Sequence, residues 1–168
     1  MTAWNERSHE ERHLLNPAFC SSLLWHSAMG AAENQISQRT SLSYAESFLI
    51  LPLALHKQTR ESFPIRVTSS LPTWVNENPL VIASLPARAR SLVPHTKEAL
   101  LFGSCGGLFR FEADQLLVNT DQLKDMRRML LRVSTEVQQC YKKAHFLGKW
   151  FTRSGTPETI FTLLGIRP

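Results

Sequence analysis

The chain has 168 residues, of which 43% are hydrophobic and 20% charged, as is typical of a soluble globular protein rather than a disordered one. No apolar run approaches the roughly 20 residues that a membrane helix requires. The opening residues, MTAWNERSHEERH, are charged and lack the apolar stretch of a signal peptide. We therefore expect the chain to remain in the cytoplasm.

The net charge of +5 is concentrated near the C-terminus. Residues 1–120 hold ten basic and ten acidic side chains, whereas residues 121–168 hold nine basic and four acidic ones. A basic segment on a neutral body indicates an acidic partner, either nucleic acid or an acidic protein surface. An ordinary solvated face is the alternative.

The residues that usually carry chemistry form few recognisable motifs. Cys20, Cys105 and Cys140 include no C-x-x-C pair. His9 and His13, in HEERH, have the spacing of an H-E-x-x-H zinc motif, but these five residues identify no third protein ligand and do not by themselves establish a metal site. No nucleophile lies in a known motif, and no acidic pair has the spacing of a two-metal nuclease site. We therefore expect no catalytic residue, no cofactor and no metal, and we predict that the chain is not an enzyme.

The first half of the chain predicts helices after a polar N-terminal segment, residues 1–15. Asn16 followed by Pro17 is a strong helix start. Gly30, in a row of small residues, would let another helix approach closely. After a polar stretch that we interpret as a loop, Ser43 begins a capping box before an apolar helix. Pro52 predicts a kink or a break in that helix.

Two further helices are predicted to begin before Leu71 and at Pro79. Pro86 and Pro94 predict that the second is divided into two or three pieces. Gly103 is its predicted C-terminal end.

The glycine-rich stretch GSCGG follows a helix and precedes a strand, the reverse of the order in a phosphate-binding loop. In LFRFE, Phe109 and Phe111 alternate with charged residues, which is typical of a strand. We therefore predict a β-hairpin near residues 107–119. Helices followed by a hairpin predict a winged-helix-like unit within residues 16–120 of a mostly helical, α+β protein. A helical protein with an incidental hairpin is the alternative.

Residues 121–168 predict a long basic heptad helix and a short C-terminal docking helix. The seam repeats at steps of three and four residues over roughly 45 Å. It consists of Leu123, Met126, Leu130, Val133, Val137, Cys140, Ala144, Leu147 and Phe151. The seam could pack against the chain's own helices or against a partner. Thr156 and Gly165 predict the two ends of the docking helix.

Apolar residues that lie off the seam are candidates for contact with a partner. These are Leu131, Phe146 and Trp150. Basic residues opposite the seam are candidates for contact with DNA phosphates. They are Arg128, Arg132 and Lys142, which we call the basic triad.

Five segments of the chain resemble the middle component of bacterial three-component ABC systems. They are NPAFCSSLLWH, LPLALHKQTRESFP, ARSLVPHTKEALLFG, KKAHFLGKW and TIFTLLGIRP. The resemblance covers roughly residues 16–168, in order, and the closing segment is its most specific part.

The resemblance implies a small non-catalytic subunit that bridges or stabilises two others on DNA. One is an SMC/Rad50-like ABC ATPase, and the other is an effector, often a nuclease. Lamassu-type anti-phage systems, which sense phage or plasmid DNA, are the best-known setting. ATP would bind the ATPase, since this chain lacks a G-x-x-x-x-G-K-[ST] loop.

A stand-alone winged-helix transcriptional regulator is the alternative. Its recognition helix would come from the region of Arg88, Arg90, His95 and Lys97, a small supply of side chains for phosphates and base edges.

Overall fold

The computed structural model describes residues 8, 12, 14–34, 39–130 and 132–167. The helices are α1 (Pro17–Ala32), α2 (Tyr44–Ala54), α3 (Lys57–Ser62), α4 (Leu71–Glu77), α5 (Pro79–Cys105), α6 (Leu123–Leu130), α7 (Thr135–Ser154) and α8 (Pro157–Leu163), with a 3-10 turn at Thr120–Gln122. The strands are β1 (Leu42–Ser43), β2 (Phe109–Glu112) and β3 (Gln115–Val118). The fold is therefore mostly helical α+β, as predicted.

Helix α1 lies at the centre of the core. It begins where the sequence predicts: Asn16 Oδ1 accepts a hydrogen bond from Ala18 N at 2.8 Å, and Pro17 occupies the first helical position. Every residue from Cys20 to Ala31 is buried. This is possible because α7, α5 and α2 all pack around α1.

Helices α1 and α7 approach each other closely enough for their backbones to touch. A Cβ atom at Gly30 would lie 2.0 Å from His145 O, and one at Gly148 would lie 1.8 Å from Ser27 O. The contact is reciprocal, since each helix offers a glycine to the backbone of the other. The prediction that Gly30 permits a close helix approach is confirmed.

Helix α2 begins with the predicted capping box, in which Ser43 Oγ accepts from Glu46 N at 3.1 Å and Glu46 Oε2 accepts from Ser43 N at 2.7 Å. The helix continues through Pro52 and ends two residues later, at Ala54. The buried Arg60 donates to Ala54 O at 3.0 Å and to Leu55 O at 2.7 Å. This side chain therefore satisfies carbonyl groups at the end of α2 that have no helical partner.

The prediction that α5 is divided at its prolines is wrong. Pro86 and Pro94 both lie inside a single helix of 27 residues that ends at Cys105, two residues beyond Gly103. Each proline removes one helical hydrogen bond at a cost of about 3 kcal/mol. Burial of one face of α5, which includes Leu85 and Leu100, offsets that cost.

The hairpin is present, with Phe109 opposite Val118 and Glu112 opposite Gln115. A third strand, β1, pairs antiparallel with β3, which gives the sheet order β1-β3-β2. The polar sequence before the capping box predicts a loop here instead. Two residues are too short a run for alternation to show, so β1 is identified only by its pairing.

The prediction of one continuous heptad helix is also wrong, because the chain forms α6 and α7 with a break between them. Ser134 caps the second helix, and its Oγ accepts from Val137 N at 3.4 Å. Within α7, the seam residues Ala144, Leu147 and Phe151 are fully buried. This part of the seam therefore packs inside the chain's own core, mainly on α1.

The C-terminal helix α8 docks on the same chain. Its residues Ile160 and Phe161 are buried, as is Leu164, the residue that follows it. Gly165 adopts a φ of +66°, and Ile166 N donates to Phe161 O at 3.0 Å. Both predicted ends of α8 are confirmed, and the tail beyond it turns back towards α2 and α5.

Candidate functional site

Phe146 lies at the edge of an aromatic cluster on α7. Its ring stacks on Phe63, with centroids 6.0 Å apart, and lies 5.4 Å from Trp150. Lys143 Nζ lies 5.5 Å from the centroid of Phe146 and 5.7 Å from that of Phe63, within the range of a cation–π interaction. Phe146 and Lys143 are both half-buried. We call Phe63, Lys143 and Phe146 the Phe146 surface.

The Phe146 surface was only partly visible in the sequence. Lys143 flanks the heptad seam and Phe146 lies off it, but Phe63 comes from the turn after α3. No local signal connects Phe63 with α7. The contact of Phe146 with a partner stays a prediction.

Trp150 lies inside the core, and its interface assignment is corrected. The side chain is 1% exposed, packs on Trp74 at 5.5 Å and donates from Nε1 to Ser69 O at 2.8 Å. The chain itself therefore supplies both the packing of the Trp150 ring and the hydrogen bond of its indole N–H. Leu131, the third predicted contact, lies outside the described residues.

The basic triad is exposed but does not share one helix. Arg128 lies on α6, Arg132 lies in the turn between helices, and Lys142 lies on α7. The break before α7, in which Arg132 lies, separates Arg128 from Lys142. Whether the triad contacts DNA stays a prediction.

A buried polar cluster joins α1 and α7. Ser22 Oγ and Tyr141 Oη lie 2.9 Å apart, and the rings of His26 and Tyr141 are 4.7 Å apart. Burial, and to a lesser extent the positive charge of His145, lowers the pKa of His26 to about 4. The imidazole is therefore neutral at pH 7, and its buried Nε2 has no hydrogen-bond partner among the residues that the structure describes.

Two side chains further along α7, His145 and Lys149, pair with Glu33 at the end of α1. His145 Nε2 lies 3.0 Å and Lys149 Nζ 2.8 Å from Glu33 Oε2. Partial burial alone would raise the pKa of Glu33. The hydrogen bonds and positive charges of Lys149 and His145 outweigh that effect, so the pKa is lowered. The ion pairs link α7 to the end of α1, so this arrangement is explained by helix packing.

Within the part of the chain that the structure describes, no group of three or more His, Cys, Asp or Glu side chains could hold a metal ion. Over the same residues, no helix combines the length and the apolar character needed to cross a bilayer.

The fold and these surfaces define a small helical α+β protein with partly exposed aromatic and basic side chains. The chain belongs to the family described as ABC-three component (ABC-3C) system Middle Component 3, which matches residues 4–168. Comparisons with curated proteins and with solved structures give no match. Membership in this family identifies the chain as the middle component of a three-component system and implies partner subunits.

Proposed function

We propose that the chain is the non-catalytic accessory subunit of an SMC/Rad50-like ABC ATPase complex in anti-phage and anti-plasmid defence of the Lamassu type. It bridges or stabilises the ATPase and the effector, often a nuclease, on DNA in the cytoplasm. The observation that carries the proposal is the family match over residues 4–168.

The Phe146 surface supports a role in binding a protein partner. A half-buried aromatic ring beside a cation is typical of the residues that anchor protein interfaces. Ile65, two residues after Phe63, is 98% exposed and adds apolar area in the adjoining loop. The exposed apolar area of these residues is more easily explained if a partner subunit covers it.

A winged-helix-like arrangement is part of the proposal. Helix α1, strand β1, helices α2 and α5, and the hairpin follow one another in the order that such a unit uses. Pairing of β1 with β3 supports this interpretation. Helices α3 and α4 are then insertions before α5. Small winged-helix proteins of this kind suit a role as accessory subunits of SMC-like ATPases.

Arg88 weighs against the alternative of a stand-alone transcriptional regulator. Its guanidinium donates to Pro52 O at 2.9 Å, Thr59 Oγ1 at 3.1 Å and Val81 O at 3.1 Å. Three internal bonds leave this side chain unsuited to reading bases. We propose instead that DNA contact occurs through the complex, with the basic triad as this chain's contribution.

Co-expression with the ATPase and effector genes that neighbour this gene, followed by size-exclusion chromatography, tests the proposal. We expect the wild-type chain to co-elute with the ATPase. If the two never co-elute, the proposal is wrong, and selective binding of the isolated chain to its own promoter would favour the regulator.

Phe146→Ala tests the surface itself. We expect the isolated variant to keep its circular dichroism spectrum and to recover less ATPase. Leu14→Ala is the matched control, since Leu14 is an apolar side chain, 63% exposed, that precedes α1 and is not part of the Phe146 surface. If Phe146→Ala unfolds the isolated chain, Phe146 belongs to the core and its interface role is wrong.

A further inference from the structure

A groove of about 590 Å³ runs between α2, α5 and the tail that follows α8. Its floor is apolar and only half-buried, with Phe48 from α2, Pro86 and Val93 from α5, and Ile166 from the tail. These side chains lie next to the folded core but are not covered by it. The groove therefore offers apolar area that a further molecule could bury.

Tyr44 forms one end of the groove and is held in place. Its ring makes edge contacts with Phe48 at 5.1 Å and with Phe111 of the hairpin at 5.5 Å, yet 41% of the residue is exposed. A fixed, exposed tyrosine loses little conformational entropy when it is covered. This property is typical of an interface anchor.

Among the described residues that line the groove, the charged ones are both arginines. Arg90 and Arg167 are exposed, and neither has an ion pair or hydrogen bond with the residues that the structure describes. Lys97, seven residues after Arg90, lies on the same face of α5 and is also exposed. Leu101 continues that face and is 66% exposed. An apolar strip thus runs beside a row of cations.

We propose that this groove binds an acidic amphipathic segment of a partner subunit, whose apolar side chains fill the floor and whose carboxylates pair with Arg90 and Arg167. The proposal rests on the function proposed above, since it requires a partner subunit. Charge complementarity identifies the occupant as acidic. A second copy would bring like charges together if the same grooves met across a two-fold axis.

The floor also distinguishes a protein segment from a nucleic acid. Pro86, Val93 and Ile166 offer aliphatic contacts, which match apolar side chains better than phosphates or sugars. Proteins that bind single-stranded nucleic acid stack successive bases on several open aromatic rings, whereas Tyr44 is the one exposed aromatic side chain among the described residues that line this groove.

Charge reversal tests the proposal on the full chain with each partner subunit purified alone. We expect Arg90→Glu with Arg167→Glu to weaken the affinity for one partner by roughly tenfold or more and to reduce its dependence on salt. Lys124→Glu is the control, because Lys124 is exposed on α6, outside the groove. Circular dichroism checks that both variants are folded.

A photo-crosslinking amino acid at Val93 gives an independent measurement. We expect it to crosslink to an acidic segment of the partner. The same group at Ser91, exposed and about 200° around α5, should not crosslink to that segment. If the wild-type chain binds no partner subunit, both proposals fail. If it binds and the double variant binds equally well, or Val93 crosslinks to DNA or a second copy, only the groove proposal is overturned.

Discussion

Replacing Gly148 with alanine tests the backbone contact between α1 and α7. The new Cβ would lie 1.8 Å from Ser27 O, 2.8 Å from Ser27 C and 2.9 Å from Ala31 N, all of them backbone atoms of α1. A carbon and an oxygen do not approach within about 3.0 Å, so the helices must separate by roughly 1.2 Å at this point. A backbone cannot rotate away from the collision as a flexible side chain could.

The balance of two effects gives the expected magnitude. Alanine gains about 1 kcal/mol over glycine in helix propensity. Overpacking costs about 1–3 kcal/mol and occasionally more, and a collision between two backbones belongs at the upper end of that range. Separation also loosens the packing of Ala144 and Leu147, which are both fully buried. We expect a net loss of about 2 kcal/mol or more, which corresponds to a fall in Tm of roughly 4–8 °C for a chain of this size.

Urea denaturation followed by circular dichroism measures this loss of unfolding free energy. Gln139→Ala is the matched control on the same helix, because Gln139 is exposed and its replacement should change stability by less than about 0.5 kcal/mol. If Gly148→Ala is as stable as the wild type, the close approach is wrong.

Gly30→Ala adds a second test of the same contact. Once α1 and α7 have separated to admit one Cβ, part of the cost of admitting the other is already met. We therefore expect the double variant to lose less stability than the sum of the two single variants. Additive losses would indicate that the glycines do not share one contact.

Three further predictions concern charged and titratable groups. The unfolding free energy should fall by about 3 kcal/mol as the pH drops from 6.5 to 4, because the pKa of His26 is about 6.5 in the unfolded chain but about 4 in the folded one. His26→Gln should remove this part of the pH dependence, as measured by urea denaturation. Arg60→Met should cost about 3 kcal/mol because it leaves the carbonyls of Ala54 and Leu55 unpaired, whereas Lys57→Met, at an exposed ion pair, should cost less than about 0.5 kcal/mol in the same assay. Reversing the charges of the basic triad should weaken binding of the complex to DNA and flatten its salt dependence by about one unit of log–log slope per lost contact, with subunit assembly preserved.

Each of these predictions has a contrary outcome. Equal losses in wild type and His26→Gln would assign the pH dependence to other groups, among them His145 and His56, whose pKa values burial also lowers. Equal stability of the Arg60 and Lys57 variants would show that the buried guanidinium does not hold the end of α2. An unchanged slope of log affinity against log salt concentration would indicate that the basic triad is a solvated surface that contacts no phosphates.

Signals that act within a few residues could be predicted from the sequence. The caps at Asn16, Ser43 and Thr156 are present because each side chain bonds a backbone amide two or three residues away. The hairpin could be predicted for a similar reason, since its two strands are neighbours in sequence. Such features depend little on the rest of the fold.

Features that depend on distant parts of the chain could not be predicted. The heptad spacing runs unchanged through the break before α7, so the period alone cannot show where one helix ends and the next begins. Trp150 lies at the edge of the seam, and only its packing on Trp74, 76 positions earlier in the sequence, shows that it is buried. The groove required three segments to meet: α2, α5 and the tail.

The position of a charged residue in the sequence likewise does not show whether its charge is paired or exposed in the fold. All of the excess positive charge lies in the last 48 residues, yet Lys149 is paired with Glu33 and Lys143 lies over two aromatic rings. Arg90, from the neutral part of the sequence, is exposed beside an apolar groove. A cation attracts a partner through the charge that its neighbours leave unbalanced. The side chains best placed to recognise an acidic segment are therefore those of the groove.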